Sequence, residues 1–407
     1  MVYDLIVVGG GAAGFFAAIE AATQNKTLRI LILEKSSKLL SKVRVSGGGR
    51  CNVTHHCFEP TLLSKHYPRG QKEFKHLFRI FQASDTVRWF GQRGVELITE
   101  EDGRMFPATE QSQTIIDCFL HEAKKSGIEI LMSTEAIRTE KIGEVFSIIS
   151  KDGKKFSSKK LLIAMGGHPQ ASAYEWLESM GHSIQSPIPS LFTFNDASKE
   201  FTDLMGVAVQ DAEVKIAGTK FSTRGPVLIT HWGLSGPAVI RLSAWAARHL
   251  HEVQYQFTAL VNWTGDQSEE SVRILFKEKS LSKGSKRISS QPLFRIPHRL
   301  WARLCDRAEV SDKMVWAEAP AKALNRIVEF LIRCPFKIMG KTTFKEEFVT
   351  CGGVALEEIE VNTMQSKMVE GLYFAGEVLN MDGETGGFNF QAAWTTAYLA
   401  ASDISHK

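Results

Sequence analysis

The sequence predicts an α/β protein in which a Rossmann-like, dinucleotide-binding domain is interrupted by an inserted β-barrel plus helical domain. Three observations predict this fold. Residues 4–35 read as strand, glycine turn, helix and strand; short alternating apolar segments typical of antiparallel strands run from 191 to 265; and a strand followed by a glycine-rich helix start returns at 371–394. With 407 residues the chain is too long for one core, so more than one domain is expected.

The first motif places a glycine turn between a buried strand and a helix. LIVV at 5–8 is a β-branched run typical of a parallel sheet, and the glycines after it form GxGxxG. The first glycine allows the tight turn, the second lets a pyrophosphate approach the backbone, and the third lets helix and strand touch. The start of the helix offers unpaired N–H groups to the phosphates. The predicted pyrophosphate contacts are Gly9, Gly11, Ala12, Ala13 and Gly14.

A second strand, 29–33, ends at Glu34, twenty residues after the last glycine of the motif. An acid at this position accepts hydrogen bonds from the adenosine ribose, so Glu34 and the adjacent Lys35 are predicted to contact the cofactor. A turn with a purely structural role is the alternative. Because strand, helix, second strand and acid all fall within 35 residues, the pattern favours a dinucleotide site.

Three consecutive glycines at 47–49 stand between Arg44 and Arg50, in a loop whose backbone can lie flat against a ligand. In dinucleotide folds the loop after the second strand lies over the crevice where the strand order reverses, which favours a cofactor-facing loop over a flexible turn. The predicted contacts are Gly48, Gly49, Arg50, Cys51 and Asn52. The nearby histidines and cysteines match no standard zinc spacing, so no metal is predicted.

With these motifs the chain resembles the bacterial YhiN/BaiN-type FAD flavoprotein family, the family of aminoacetone oxidase and of a bile-acid-intermediate reductase. The resemblance runs from end to end and rests on VVGGGAAG at 7–14, SGGGRCNVT at 46–54, EDGRMFP at 101–107, THWGLSGPAV at 230–239, FKEEFVTCGGVALEEI at 344–359 and GLYFAGEVLNMDGETGGFNFQAAW at 371–394. It implies a discontinuous, two-dinucleotide-motif FAD domain at 1–190 and 346–407. The inserted domain is then 191–345, with a barrel at 191–265, a helical part at 266–333 and a return strand at about 334–345.

The resemblance implies two further segments that meet FAD. KKLLIAM is a buried strand that ends at Gly166 and Gly167, which let the chain pass a flavin closely. GLYFA leads to Gly376 and Glu377, and the helix that opens near Phe388 directs its positive end at the flavin N1–C2=O edge. The predicted contacts at this helix are Gly386, Gly387, Phe388, Asn389 and Gln391. After Gly167 the chain lacks the family's longer Ser/Thr/Gly-rich run, whose contacts are therefore not carried over.

In function, the resemblance implies an FAD-dependent oxidoreductase that acts on a small organic substrate, with the flavin carrying the electrons. No second GxGxxG occurs in the sequence, so either NAD(P)H binds transiently as a co-substrate or oxygen reacts directly, and both remain open. The alternative is a flavin-binding RNA- or partner-interacting factor without turnover, supported only by the basic, serine-rich segment 280–290. A net charge of +4 is too small to argue for nucleic acid, so no such partner is expected.

THWGLSGPAV is the candidate segment of the inserted domain for reaching the substrate. Gly233 and Gly236 permit close backbone approach, and His231 is the predicted catalytic residue because an imidazole moves protons near neutral pH. The alternative is that His231 and Ser235 only cap the helix that follows Pro237.

Composition indicates the cellular compartment of the protein. No apolar run reaches the roughly 18 residues needed to span a bilayer, so no membrane partner is expected. Six scattered cysteines without an export signal predict reduced thiols and a cytoplasmic protein.

Overall fold

The computed structural model describes residues 1–282, 284–342 and 349–406. Its strands are β1 Val2–Val8, β2 Ile30–Leu33, β3 Thr54–His55, β4 Leu97–Thr99, β5 Arg104–Pro107, β6 Glu129–Leu131, β7 Ala136–Ile142, β8 Val145–Ser150, β9 Lys155–Ile163, β10 Ile184–Ser190, β11 Thr193–Asp196, β12 Ala208–Ile216, β13 Ser222–Ile229, β14 Gly233–Ser235, β15 Gln256–Asn262, β16 Cys334–Thr342, β17 Val349–Val354, β18 Ile359–Glu360, β19 Gln365–Ser366 and β20 Leu372–Phe374.

The α-helices are α1 Ala12–Gln24, α2 Ser41–Gly49, α3 Pro60–Ser64, α4 Gln71–Leu77, α5 Ala83–Gly91, α6 Ser112–Lys125, α7 Glu175–Glu178, α8 Pro237–Trp245, α9 Ala247–Glu252, α10 Glu269–Ser282, α11 His298–Arg307, α12 Ala321–Ile332 and α13 Phe388–His406. The chain forms two compact units, Met1–Ser190 with Lys345–Lys407 and Leu191–Phe344. Each unit has its own hydrophobic core.

The first unit is organised on a sheet with the strand order β18-β19-β20-β9-β1-β2-β6. The strands from β20 to β6 pair in parallel, and β1 lies between β2 and β9. Residues 30–33 of β2 are all buried, as expected for a parallel strand covered on both faces. The predicted Rossmann-like α/β class is therefore confirmed.

Helices α1 and α13 pack on this sheet and on each other. Small residues let α1 approach closely, and its two phenylalanines, Phe15 and Phe16, are fully buried. The Phe16 ring stacks on Trp89 at 4.4 Å and lies 5.4 Å from Trp394 of α13. Burying one such ring contributes about 1.5–3 kcal/mol, so this aromatic cluster fixes the helices that flank the glycine turn.

The second unit is a closed antiparallel barrel with the order β11-β14-β13-β12-β15-β16, followed in the chain by helices α10, α11 and α12 before β16 closes it. Its strands alternate buried and exposed residues, as at Ala208–Ile216, which explains why periodicity predicts them. The predicted inserted barrel with a helical part is confirmed as part of the fold class. The last three residues of the predicted return strand, 343–345, lie outside the described residues.

Acid should weaken the fold of the first unit through His182. This ring is 2% exposed, its Nε2 lies 2.8 Å from the Ser366 hydroxyl, and burial lowers its pKa below the usual 6.5. Below about pH 6.5 the unfolded chain therefore binds a proton that the folded chain does not, and the free energy of unfolding falls. We expect urea midpoints to be level above this pH and to drop below it.

The control for this prediction is His182→Gln, which keeps a hydrogen-bonding side chain but cannot titrate. Its midpoint should depend less on pH in the acid range, with the remaining dependence due in part to His55 and His168, whose pKa values burial also lowers. An equally steep fall in the variant would show that His182 does not cause the effect.

Candidate functional site

The glycine turn after β1 is built as a cradle. Gly9 has φ +116°, and a Cβ on it would lie 2.3 Å from the Ala164 carbonyl oxygen. A Cβ on Gly14 would lie 2.0 Å from the Gly9 oxygen, so helix and strand touch there. In the part of the chain that the structure describes, nothing lies within 4 Å of a Cβ added at Gly11. No side chain caps α1 and no acid stands in its first turn, which leaves its positive end suited to an anion beside that open space.

Glu34 lies at the carboxyl end of β2, partly buried, and its carboxylate already has backbone partners. Oε2 accepts from the Gly10 N–H and Oε1 from the Ser36 N–H, both at 2.8 Å. These bonds fix the carboxylate against the glycine turn and leave acceptor capacity on each oxygen. Lys35 is exposed. The geometry suits recognition of a ribose by Glu34, and contact of Lys35 with the cofactor stays a prediction.

The end of α2 departs from helical geometry and turns through three left-handed glycines. Gly47, Gly48 and Gly49 have φ of +59°, +69° and +88°, which residues with a Cβ rarely adopt. A Cβ on Gly47 would lie 2.9 Å from the Phe106 ring, whereas Gly48 and Gly49 are exposed and have nothing within 4 Å. The backbone there can lie against a flat ligand.

The next three residues, 50–52, have contacts within the protein. Arg50 pairs with Glu100 at 2.6 Å and lies 4.0 Å from the Phe106 ring centroid. The Cys51 thiol is fully buried, and burial raises its pKa to about 12, so it is a neutral packing group. The Asn52 amide fits with its oxygen 3.0 Å from the Gly387 nitrogen and its nitrogen 3.0 Å from the Thr54 carbonyl. These side chains hold the glycine loop against the rest of the unit.

Asn52 thus joins the glycine loop to the start of α13. Gly386 and Gly387 have φ of +124° and +93°, and a Cβ on Gly387 would lie 2.5 Å from the Thr54 oxygen. The Phe388 ring is buried. Asn389 holds Gly383 from both sides, accepting from its N–H and donating to its carbonyl at 2.9 Å.

Gln391 is fully buried, and its side chain is engaged by three hydroxyl groups. Its Oε1 accepts from Thr54 at 2.6 Å and from Thr86 at 2.9 Å, while its Nε2 lies 3.1 Å from the Thr395 hydroxyl. Gln391 therefore positions the helix start from within. Its contact with the flavin stays a prediction.

The strand ends of β9 and β20 bring another group of predicted residues together. Gly166 has φ +72° and open space, whereas a Cβ on Gly167 would lie 2.6 Å from Glu377 Oε1. Glu377 pairs with Lys42 at 2.6 Å. A Cβ on Gly376 would lie 3.0 Å from that of Ala13, so this segment reaches the first turn of α1.

The predicted residues of this unit fit FAD in one respect that the structure itself shows. Next to packed glycines stand others whose missing side chains leave open space: Gly11, Gly48, Gly49 and Gly166. A pyrophosphate and a flat ring system require such backbone surfaces.

Sequence reasoning missed a buried ion pair that joins the first residue of the 382–387 segment to Arg69. Asp382 is fully buried and forms a bidentate pair with Arg69, and Ser190 donates to it at 3.1 Å. The only signal in the sequence is that charged residues stand inside a glycine-rich cofactor motif.

A second group that was missed is aromatic and titratable. His66 stacks on Phe388 at 4.2 Å, and its Nδ1 lies 3.1 Å from the Glu384 carboxylate. His55 lies 4.6 Å from the same ring, with Nδ1 3.1 Å from the Gly386 oxygen. Two imidazoles thus lie against the helix start that is predicted to face the flavin. Among the described residues no cluster of His, Cys, Asp or Glu is arranged to hold a metal ion.

His231 lies in the second unit, in the turn between β13 and β14, and is exposed. Its ring meets the edge of Trp232 at 4.3 Å. The capping alternative is wrong, because Gly236 is the N-cap of α8 and no side chain caps it. Gly233 also has a packing role: a Cβ on it would lie 2.3 Å from the Phe194 oxygen in the barrel. The catalytic role of His231 stays a prediction.

Comparison with known proteins places this architecture in a family. The HI0933-like protein Rossmann domain matches residues 3–403. The ribosomal RNA dihydrouridine synthase of Haemophilus influenzae is 29% identical over 99% of this chain and 98% of that protein. The 3-dehydro-bile acid delta(4,6)-reductase of Clostridium scindens is 25% identical over 97% of each.

Among solved structures, a 3-ketosteroid-delta4-(5alpha)-dehydrogenase from Rhodococcus jostii RHA1 superposes with a TM-score of 0.52 at 12% identity, over 98% of this chain and 96% of that one, which shows a shared fold. Among the described residues no helix is long and apolar enough to cross a membrane.

The predicted family and enzyme class are confirmed: the chain belongs to the HI0933-like family and is an FAD-dependent oxidoreductase.

Proposed function

We propose that this protein is a reductase of an electron-poor carbon–carbon double bond, and that its substrate is uridine within ribosomal RNA. The observation that carries the proposal is the end-to-end similarity to a ribosomal RNA dihydrouridine synthase. This proposal departs from the expectation that nucleic acid is not a partner, which followed from the mild net charge.

The bond chemistry supports the same class of reaction. The C5–C6 bond of uridine is conjugated with the C4 carbonyl, and the delta(4,6) bonds named for the bile-acid reductase are conjugated with a 3-keto group. Both are α,β-unsaturated carbonyl systems. FAD, when bound in its reduced form, supplies a hydride to the carbon remote from the carbonyl. Reduction of a bile-acid-like enone is therefore the second candidate function.

The chain itself must hold the cofactor, exclude water and deliver a proton to the carbon next to the carbonyl. We assign pyrophosphate binding to the glycine turn and α1, ribose binding to Glu34, and contact with the flavin ring to the backbone at Gly48, Gly49, Gly386 and Gly387. The start of α13 would stabilise negative charge at the flavin edge. A transient NAD(P)H co-substrate is the proposed electron donor.

Glu34→Ala should weaken FAD binding by roughly 1–3 kcal/mol, because the ribose loses a charged acceptor. The same change removes the partner of the Gly10 N–H, which adds to the loss. Titration of the apoprotein with FAD, followed by fluorescence quenching, measures the effect. Lys38→Ala, at an exposed residue of the same segment, is the control and should leave the affinity unchanged. Equal affinities for all three proteins would place the adenosine site elsewhere.

Two histidine variants compare the possible sources of the proton. If His231 donates it, His231→Ala should slow reoxidation of the reduced flavin by substrate about 10²-fold, with FAD content unaltered. His66→Ala tests the imidazole held by Glu384 in the same assay. Stopped-flow reoxidation under argon measures both. Wild-type rates in the His231 variant and slow rates in the His66 variant would move the role to His66.

Incubation of the holoenzyme with unmodified ribosomal RNA and NADH or NADPH tests the proposed function. We expect dihydrouridine in the nuclease digest, detected by mass spectrometry as uridine heavier by two hydrogens. A 3-keto-4-ene steroid is the parallel substrate. Turnover of the steroid with no change in the RNA would overturn the RNA proposal and support the second candidate.

A further inference from the structure

The charge of the chain is unevenly distributed between its two units. Residues 191–344 contain 22 Lys and Arg against 15 Asp and Glu, a net charge of +7, whereas the rest of the chain contains 27 against 30, a net charge of −3. The overall charge of +4 is therefore the sum of a basic inserted unit and a slightly acidic remainder. Within it, seven lysines and arginines and no acid stand between Glu278 and Asp306.

Most arginines elsewhere in the helical part are neutralised. Arg273 and Arg333 pair with Glu269, Arg303 pairs with Asp203, and Arg307 with Glu200. Lys286, Arg287, Arg295 and His298 are exposed, and no ion-pair partner for them occurs among residues 1–282, 284–342 and 349–406. We call these four residues the basic surface.

The basic surface is held on a packed support. The Trp301 indole of α11 donates to the Ile288 carbonyl at 2.8 Å, and both side chains are fully buried. Ile288 also donates from its backbone to Met314 at 3.1 Å. These contacts hold the chain at Ile288 against α11, so the neighbouring Arg287 lies beside the helix that begins at His298.

The helix starts of the insert differ in charge. Helix α10 begins with Glu269 and Glu270, which its positive end favours. Helix α11 has no acid in its first turn and begins with His298 and Arg299, where positive charge is unfavourable to the helix. An arrangement that costs folding stability yet concentrates positive charge is typical of a surface that meets a polyanion.

We infer that the basic surface binds the phosphate backbone of the ribosomal RNA substrate and thereby supplies most of the affinity for it. This inference rests on the proposed function and adds where the RNA is held. Lysine and arginine contacts to phosphates position a nucleic acid without reading its sequence, so recognition of the reacting uridine is left to the residues around the flavin.

The test compares two triple variants that remove the same net charge. Lys286→Ala/Arg287→Ala/Arg295→Ala removes the basic surface, and Lys72→Ala/Lys215→Ala/Lys220→Ala removes three exposed lysines elsewhere. Filter binding of the holoenzymes to a ribosomal RNA transcript is measured from low to moderate salt. We expect about 10-fold or greater weakening for the first triple and a salt slope smaller by about 2–3, with little change for the control.

Flavin content and melting temperature of both variants check that the fold is intact. In the dihydrouridine assay the first triple should raise the KM for RNA and leave kcat near wild type. Equal RNA binding by the two triples would overturn the assignment of the surface. A third outcome separates the two proposals. If the wild-type enzyme forms no dihydrouridine, yet binds RNA in a salt-dependent way that the first triple variant loses, the result would support the basic surface and contradict the proposed function.

Discussion

Gly11→Val is expected to weaken FAD binding about 100-fold or more, about 3 kcal/mol, so that the protein purifies without flavin. The structure explains why the loss should be specific. A Cβ on Gly11 would meet no atom of the described residues within 4 Å, so the valine enters open space and the fold survives. That space is where the pyrophosphate approaches the start of α1. Flavin absorbance per mole of purified protein measures the effect.

Gly91→Val is the matched control, because this glycine ends α5 and a Cβ there also meets nothing within 4 Å. It should retain flavin. Gly14→Ala should instead damage folding, since its Cβ would lie 2.0 Å from the Gly9 oxygen. A Gly11 variant that purifies with stoichiometric flavin would show that the turn is not the cofactor site.

Arg69→Leu should destabilise the first unit by about 3–5 kcal/mol, because it leaves the fully buried Asp382 carboxylate without its opposite charge. Asp382 lies at the start of the segment that leads to Gly386 and Gly387, so flavin retention should fall as well. Urea unfolding followed by circular dichroism measures the stability.

The double variant Arg69→Leu/Asp382→Asn tests the cause. If an unpaired buried charge produces the loss, replacing the carboxylate by an amide should restore most of the stability. A double variant that is as unstable as the sum of the two single variants would indicate lost packing, and the ion pair would have no special role.

Secondary structure follows from the sequence where the spacing of apolar residues and the turn residues that bound it indicate the same element. The helix expected after the glycine turn is α1 Ala12–Gln24. The glycine turn was assigned residue by residue because each glycine has a separate backbone requirement, which the structure shows at Gly9, Gly11 and Gly14.

What the sequence did not reveal depends on contacts between distant residues. Gln391 meets Thr54, 337 positions away, and Arg69 meets Asp382, 313 positions away, so no local period predicts either interaction. The same limit applies to Arg50, whose pairing with Glu100 depends on the β4–β5 hairpin. The residue types near a motif identify which part of the chain forms a site. The three-dimensional structure then shows which glycines leave open space for a ligand and which side chains hold those glycines in place.

An anaerobic single turnover tests whether reduced flavin in this protein passes its electrons to uridine in ribosomal RNA. The holoenzyme is reduced with one equivalent of dithionite, mixed with unmodified ribosomal RNA, and followed by the visible absorbance of the flavin. We predict that the oxidised spectrum returns and that dihydrouridine forms in equal amount, with no nicotinamide present. Flavin that stays reduced with the RNA, yet is reoxidised when oxygen is admitted, would show that uridine in ribosomal RNA is not its electron acceptor.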